Sequence, residues 1–451
     1  MNMRKDETAS MFLARRTQLL ARMPDHSLAI FPSAPVYTRN NDVEHSYRQD
    51  SDLYYLTGFP EPEAVALLLK GDGDVFTLVV RPRDREREIW DGRRAGVEGA
   101  KARFGADASA EIDKLDEVLE AAMGKAQTVV YALGGHDEMD QRVLHLMRKF
   151  RRQKRKGPEG PRAIVDPGPL LHEMRLIKSD AELARLQRAA DLSAEAHNQA
   201  MRAARAGVNE RELQAVLEGT FRALGSARNG YDCIVAGGDN ATILHYHDND
   251  QPIEDGALVL IDAGAEYDFY TADITRTFPV SGRFSEAQRA VYEIVLAAQH
   301  ASIEASVVGA TFDSVHDVSV RVLTEGMIRL GLLEGDVDAR IADESYKRYY
   351  MHRTGHWLGM DVHDVGSYRD GEGSRLLEAG MVMTIEPGLY IASDDEDAPA
   401  ELRGIGIRIE DDIVVTSGRP HVLTAACPTG IDAIEAMMTE AAPSFPALAN
   451  A

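Results

Sequence analysis

The chain is poor in cysteine. Only Cys233 and Cys427 occur among 451 residues, too few for a disulfide framework or a thiolate zinc site, so both are expected as reduced, buried thiols. Positive charge is also in deficit: 50 Lys+Arg stand against 73 Asp+Glu, a formal charge of −23, which argues against nucleic acid as the main partner. No uninterrupted apolar run approaches the roughly 18 residues that a transmembrane helix needs, and no membrane partner is expected. The opening Met1-Asn2-Met3-Arg4-Lys5-Asp6-Glu7 has acids early and no apolar segment behind it, unlike a secretory signal, so the expected location is cytoplasmic. Tandem repeats of solenoid length are lacking too. What is there is an ordinary globular composition, 44% hydrophobic and 27% charged, in a chain long enough for two or three domains and a sizeable core.

Local patterning divides the chain. Phe12 to Met23 has helical spacing, while Val65-Ala66-Leu67-Leu68-Leu69 and Phe76-Thr77-Leu78-Val79-Val80 read as buried strands around the turn Gly71-Asp72-Gly73. An α/β domain is therefore expected over residues 1–175. Seven of the nine residues from Arg148 to Lys156 are basic, which suits a solvated charge run at a domain edge. The Gly/Pro-rich stretch that follows predicts a linker near 157–175. Ser179-Asp180-Ala181-Glu182 then has capping-box spacing and opens a helical stripe, so a second domain is expected over 176–451. Asp394-Asp395-Glu396-Asp397, between two strand-like stretches, reads as an exposed hairpin loop, and the Ala/Pro-rich end from about 441 as a frayed tail.

The second domain repeatedly places an acid at the end of an apolar strand. Ala257 to Asp262 is a continuous apolar run ending in a carboxylate, and Tyr270 to Phe278 is β-prone and carries Asp273; pairing as a hairpin would bring the two aspartates together. Met381 to Ile385 leads into Glu386, which Pro387 holds extended. In Gly404-Ile405-Gly406-Ile407-Arg408-Ile409-Glu410, alternation puts the isoleucines on one face and Arg408 with Glu410 on the other. One such acid is readily neutralised by an arginine. Four of them converging would raise one another's pKa or demand cations, and metal is the economical answer. The segment Met351 to Asp364 adds His352, His356 and His363; the spacing of His352 and His356 mimics a zincin helix, but no Glu follows the first His and Gly355 intervenes. One imidazole with four carboxylates is a hard, oxygen-rich set, best matched to Mn²⁺, with Zn²⁺, Co²⁺ or Fe²⁺ as competitors. Four negative ligands neutralise two divalent ions, which at about 3.5–4 Å apart can share and acidify a bridging water.

In order, Asp262, Asp273, His356, Glu386 and Glu410 resemble the five-ligand set of the pita-bread metallopeptidases, and most closely the aminopeptidase P family. Further matching pieces are Tyr47-Arg48-Gln49-Asp50-Ser51-Asp52, Tyr55-Leu56-Thr57-Gly58-Phe59, His172-Glu173-Met174-Arg175, Ile243-Leu244-His245-Tyr246, Asp273 to Gly282 and His356 to Asp364. The resemblance implies an amino-terminal α/β domain followed by an α+β pita-bread catalytic domain. It also implies removal of the first residue from peptides with proline second, and a dinuclear site, often with manganese. Asp262 would hold one ion, His356 and Glu386 the other, with Asp273 and Glu410 bridging and Glu386 taking a proton from the attacking water. His245, His352 and His363 would contact substrate and transition state, with Tyr390 and Arg408 around them. A homodimer or homotetramer is implied as well. Trp90 reads equally well as a core residue or as part of a substrate site supplied by the first domain, possibly across a subunit interface. The competing readings are a prolidase limited to Xaa-Pro dipeptides and a peptide-binding module of the same fold that has lost its metals.

Overall fold

The computed structural model describes residues 5–441 apart from Lys154 and Lys156, so the tail expected from about 441 lies almost wholly outside the described residues. The chain divides into two units with the boundary between Glu173 and Met174.

In the first unit, the strands read around Gly71-Asp72-Gly73 form as Val65–Lys70 and Val75–Val80 and pair antiparallel, Leu67 opposite Thr77. They sit inside a six-stranded sheet ordered Ala108–Glu111, Val75–Val80, Val65–Lys70, Ser27–Pro32, Thr128–Val130, Ala163–Val165. Alternate residues of these strands, among them Leu28, Ile30, Val65 and Leu67, share a core with the helices Leu115–Met123 and Asp137–Gln153. The latter helix buries Met139, Val143, Leu146, Met147 and Phe150, one helical stripe, which turns its basic residues outward. Part of the basic run is thus the last turn of a helix, where cations complement the carbonyl dipoles.

One expectation needs correction. The stretch read as a linker over 157–175 contains Ala163–Val165, which pairs parallel with Thr128–Val130 as an edge strand, and the helix Gly168–Leu176. A three-residue strand is too short to display a period, and the Pro/Gly punctuation on both sides concealed it.

The second unit packs long helices against short strands. Its core joins Leu192, Ala196 and Ala200 of helix Asp180–Ala203 to Val259 and Ile261 of strand Leu258–Asp262 and to Val291 and Val295 of helix Glu286–Ala305. Glu182 accepts a hydrogen bond from the Ser179 N–H at 3.0 Å, as the capping-box spacing requires. Gly388–Ile391 pairs antiparallel with Ile405–Arg408, making the acidic run a loop between strands, in which Asp397 meets Arg348 at 2.9 Å. Cys233 and Cys427 are both free and buried.

Candidate active site

Each carboxylate reaches the site through a break in a strand. Strands Leu258–Asp262 and Thr275–Pro279 do pair antiparallel, with Asp262 opposite Thr275, but they are not a simple hairpin. Between them Ala265–Tyr267 and Tyr270–Thr271 turn back on each other in a separate small sheet, through positive φ at Asp268 and Phe269. The excursion leaves Asp262 at one strand end and Asp273 two residues before the next strand. Glu386 follows strand Val382–Ile385 directly, and its N–H donates to the Thr354 carbonyl at 2.7 Å. Ile405, Ile407 and Ile409 enter the core while Arg408 and Glu410 line the cavity, as the alternation requires. Between Arg408 and Asp411 the chain changes sheet, so Glu410 stands at the step between two strands.

His356 comes from an irregular loop. Gly355 is needed there because a Cβ would overlap the Thr384 carbonyl. The loop closes on itself through Asp364 N–H to the Trp357 carbonyl at 2.9 Å. Asp364 is buried between Lys178 (3.0 Å) and Arg175 (2.6 Å), and Arg175 also holds Asp361 at 2.8 Å. Burial alone would push the Asp364 carboxyl up; the two cations hold it below its ordinary value.

The five acid and imidazole groups line one cavity of about 800 Å³, together with His245, His352, His363 and Arg408. Ligand atoms of Asp273, His356 and Glu410 lie within 4.8 Å of one another. His356 Nε2 is 3.4 Å from Asp273 and 3.6 Å from Glu386. Its Nδ1 is 3.0 Å from the Trp357 carbonyl, which fixes a proton there and turns Nε2 toward the acids, the orientation a metal-binding imidazole takes. Burial opposes charge on the His356 ring, yet Asp273 and Glu386 raise it to about 9. Burial and the neighbouring aspartates raise Glu386 to about 7, and Asp262 and Glu410 are also pushed up, by burial and then by their fellow acids. Asp273 goes the other way despite its burial, because His356 bonds it. One acid is thus satisfied by an imidazolium, while Asp262, which Arg408 meets at 2.7 Å, stays raised in spite of that guanidinium. The donor set fits divalent cations: hard oxygens with one imidazole, buried, close together and short of positive charge.

The surrounding residues hold this arrangement. Arg408 donates to the Tyr390 hydroxyl at 3.1 Å, and that hydroxyl lies 2.8 Å from His352 Nε2. Burial and Arg408 lower His352 to about 3, so its ring is neutral; with Nδ1 donating to the Arg353 carbonyl at 2.8 Å, Nε2 accepts from Tyr390. His245 and His363 are exposed in the cavity wall, and the His363 ring stands edge-on to His356 with centroids 4.4 Å apart. Trp90 is 84% exposed on helix Arg85–Asp91, which buries none of its residues, so the core alternative for Trp90 falls. Two groups escaped the sequence reading. The Tyr231 hydroxyl donates to Asp262 at 2.6 Å and also meets Asp273, and buried Asp412 accepts the Asp273 N–H at 3.0 Å. Neither stands in a spacing that marks it; Asp412 was visible only as the third acid of Glu410-Asp411-Asp412.

With this geometry in view, the sequence pattern of metallopeptidase family M24 matches residues 184–417, more than half of the chain, and that of the aminopeptidase P N-terminal domain matches residues 12–131. The chain belongs to metallopeptidase family M24, in its aminopeptidase P branch. It is 43% identical over 432 residues to the Xaa-Pro aminopeptidase of Escherichia coli K12, covering 95% of this chain and 98% of that one. It is 36% identical over 420 residues to Xaa-Pro aminopeptidase 3 of Mus musculus, covering 91% and 80%. Among solved structures, the Pseudomonas aeruginosa aminopeptidase PepP superposes with a TM-score of 0.94 at 50% identity, over 95% of this chain and 98% of that chain. The expected architecture, an amino-terminal α/β domain and a pita-bread domain, is that of the family.

Proposed function

We propose that this chain is a metal-dependent aminopeptidase that releases the first residue from peptides with proline in second position. The observation that carries the reading is the convergence of Asp262, Asp273, His356, Glu386 and Glu410 on one cavity, in a chain 43% identical to an Xaa-Pro aminopeptidase. Asp262 on one side and His356 with Glu386 on the other would hold two divalent ions, with Asp273 and Glu410 between them. Manganese is the proposed occupant, and zinc is an alternative supported by an E. coli aminopeptidase P solved in zinc-substituted form with product. When bound, such ions supply Lewis acidity and a water acidified toward neutral pH.

The chain's own groups divide the remaining work. Glu386, which lines the cavity 3.6 Å from His356 among the acids, is suited by position to take a proton from the attacking water and return it to the leaving nitrogen. His245 and His363 are the imidazoles free to donate to substrate carbonyls. His352 instead serves through position, because Tyr390 and the Arg353 carbonyl engage both its nitrogens. The Xaa-Pro bond has no N–H, so a site that selects it recognises the proline ring and carbonyls.

A cytoplasmic location is proposed with this activity, and two buried cysteines without a disulfide are compatible with it. The exposed Ile89 and Trp90 support a homodimer or homotetramer in which Trp90 meets substrate bound to a partner copy. The deciding experiment is metal analysis of protein purified without added metal, joined to cleavage of an Xaa-Pro-Yaa peptide, an Xaa-Pro dipeptide and an Xaa-Ala-Yaa peptide. Chelation is expected to abolish turnover and Mn²⁺ to restore it. Normal activity in fully chelated protein defeats the metal reading; dipeptide-only cleavage makes the enzyme a prolidase; equal cleavage of Xaa-Ala-Yaa removes the proline requirement.

A further inference from the structure

The wall of the cavity beyond His356 is built differently from the acid cluster. Trp357, next in sequence, packs on Phe312 with centroids 4.9 Å apart, and Phe312 packs on Tyr368 at 4.7 Å. The Tyr368 hydroxyl accepts the Trp357 N–H at 3.0 Å, so this aromatic wall is tied directly to the segment that carries His356. Two guanidiniums, Arg353 and Arg369, line the cavity here with one acid, Asp313. Arg353 makes an ion pair with Asp313. Burial would raise the Asp313 carboxyl, but Arg353, and more weakly the charge of Arg369, hold it below its ordinary value. Arg369 therefore stands near an acid that another guanidinium already engages.

Of the three arginines in the cavity wall, Arg408 pairs with Asp262 and Arg353 with Asp313, whereas Arg369 has no ion pair among the described residues. It lies on the two-residue strand Arg369–Asp370, which pairs with Gly373–Ser374 through a turn at Gly371, φ +59°. Neighbouring residues of a strand face opposite ways, and Asp370 makes no ion pair with Arg369. In a chain of net charge −23, this wall carries one uncompensated positive charge.

We propose that Arg369 captures a substrate carboxylate on the third residue, beyond the proline. The inference rests on the aminopeptidase reading above and adds to it a preference for peptides that carry a negative charge at that position. The chemistry is a guanidinium fork meeting a carboxylate, a pairing that is often bidentate. The cavity has room for it, since about 800 Å³ lies in the upper part of the range of about 300–1,000 Å³ for small-ligand sites. The carboxylate can be the free carboxyl terminus of a tripeptide or the side chain of an acidic third residue.

The test compares kcat/KM for an Xaa-Pro-Yaa tripeptide, its carboxamide, and a carboxamide with Asp as third residue, in metal-loaded wild type, Arg369→Gln, Arg369→Lys and Asp370→Asn. Because Arg369 is exposed, the wild type is expected to favour the free acid over the neutral amide by about fivefold to tenfold, through KM. The ratio, taken within each protein, should fall toward one in Arg369→Gln, recover in part in Arg369→Lys and persist in Asp370→Asn. An Asp-amide handled like the free acid identifies any third-position carboxylate as the ligand; one handled like the neutral amide narrows it to the carboxyl terminus. No acid preference in the wild type, or an unchanged ratio in Arg369→Gln, overturns the proposal. If the wild type cleaves none of the three, the aminopeptidase reading itself falls, and this inference with it.

Discussion

Replacing Asp364 by alanine tests whether a buried charge cluster holds the segment that carries His356 and His363. Asp364 is 6% exposed, and the side chains of Lys178 and Arg175 are 0% and 3% exposed. Removing the carboxylate leaves Arg175 with Asp361 but leaves Lys178 Nζ without its one ion-pair partner among the described residues. An ammonium stranded in the interior costs about 3–5 kcal/mol, and because only one of the two cations loses its partner the expected loss is about 3 kcal/mol. Lys178→Met with Asp364→Ala strands no ammonium, so the double variant should be about 2 kcal/mol more stable than the sum of the single effects predicts.

The assay is built in. Of the two tryptophans, Trp90 is already exposed and Trp357 is fully buried beside this cluster, so the fluorescence change on urea unfolding reports on the unit that carries the site. The sign with pH follows from the lowered pKa of Asp364: its contribution is present above about pH 4 and is lost as pH falls through the lowered value. A single variant within 1 kcal/mol of wild type, or a double variant whose effects simply add, would refute the account.

Three further outcomes are expected. Glu386→Gln should lower kcat at least about a hundredfold through lost proton transfer, and a metal-replete variant with near-normal kcat would rule out that role. Tyr231→Phe removes the hydroxyl shared by Asp262 and Asp273 and should weaken metal binding about tenfold to a hundredfold with folding intact, as read by titration calorimetry; unchanged affinity would show the hydroxyl to be incidental. His197 is fully buried with Nε2 on the Ala263 carbonyl at 2.9 Å, and burial lowers it from 6.5 to about 4. It remains neutral in the fold where the unfolded chain is protonated, so about 3 kcal/mol of stability present above pH 6.5 is lost progressively as pH falls to about 4. His197→Gln should flatten that limb of the stability profile, and an unaltered slope would place the acid sensitivity elsewhere.

What was legible in the sequence was carried by local period. The alternation of Ile405, Ile407 and Ile409 against Arg408 and Glu410 separates core from cavity without any knowledge of the partner strands, and each acid at the end of an apolar run sits where a sheet stops. The first-unit strands around Gly71 were legible for the same reason. What escaped is non-local or too short to have a period. Ala163–Val165 becomes a strand because Thr128–Val130 offers it an edge, and nothing within three residues says so. Trp90 has a side chain that suits a core or a binding surface equally, so its type left both readings open, and only its exposure on a helix that buries nothing removes the core.

The two aspartates show the limit most clearly. Strand pattern alone allowed them to meet across a hairpin, yet they meet because the chain leaves the sheet after Asp262, turns through Asp268 and Phe269 in left-handed backbone, and returns at Thr275. That detour puts Asp262 at the last rung of the ladder and Asp273 outside it, and lets one tyrosine hydroxyl span them. Four acids then face one guanidinium and one imidazolium, which leaves a surplus of two negative charges in a buried volume. Proton uptake can relieve that surplus, as the raised Glu386 and Glu410 register, but divalent cations relieve it without losing the ligands. The same strand breaks that weaken the sheet are therefore what make the site a receptor for cations, a relation between topology and charge that no single stretch of the sequence contains.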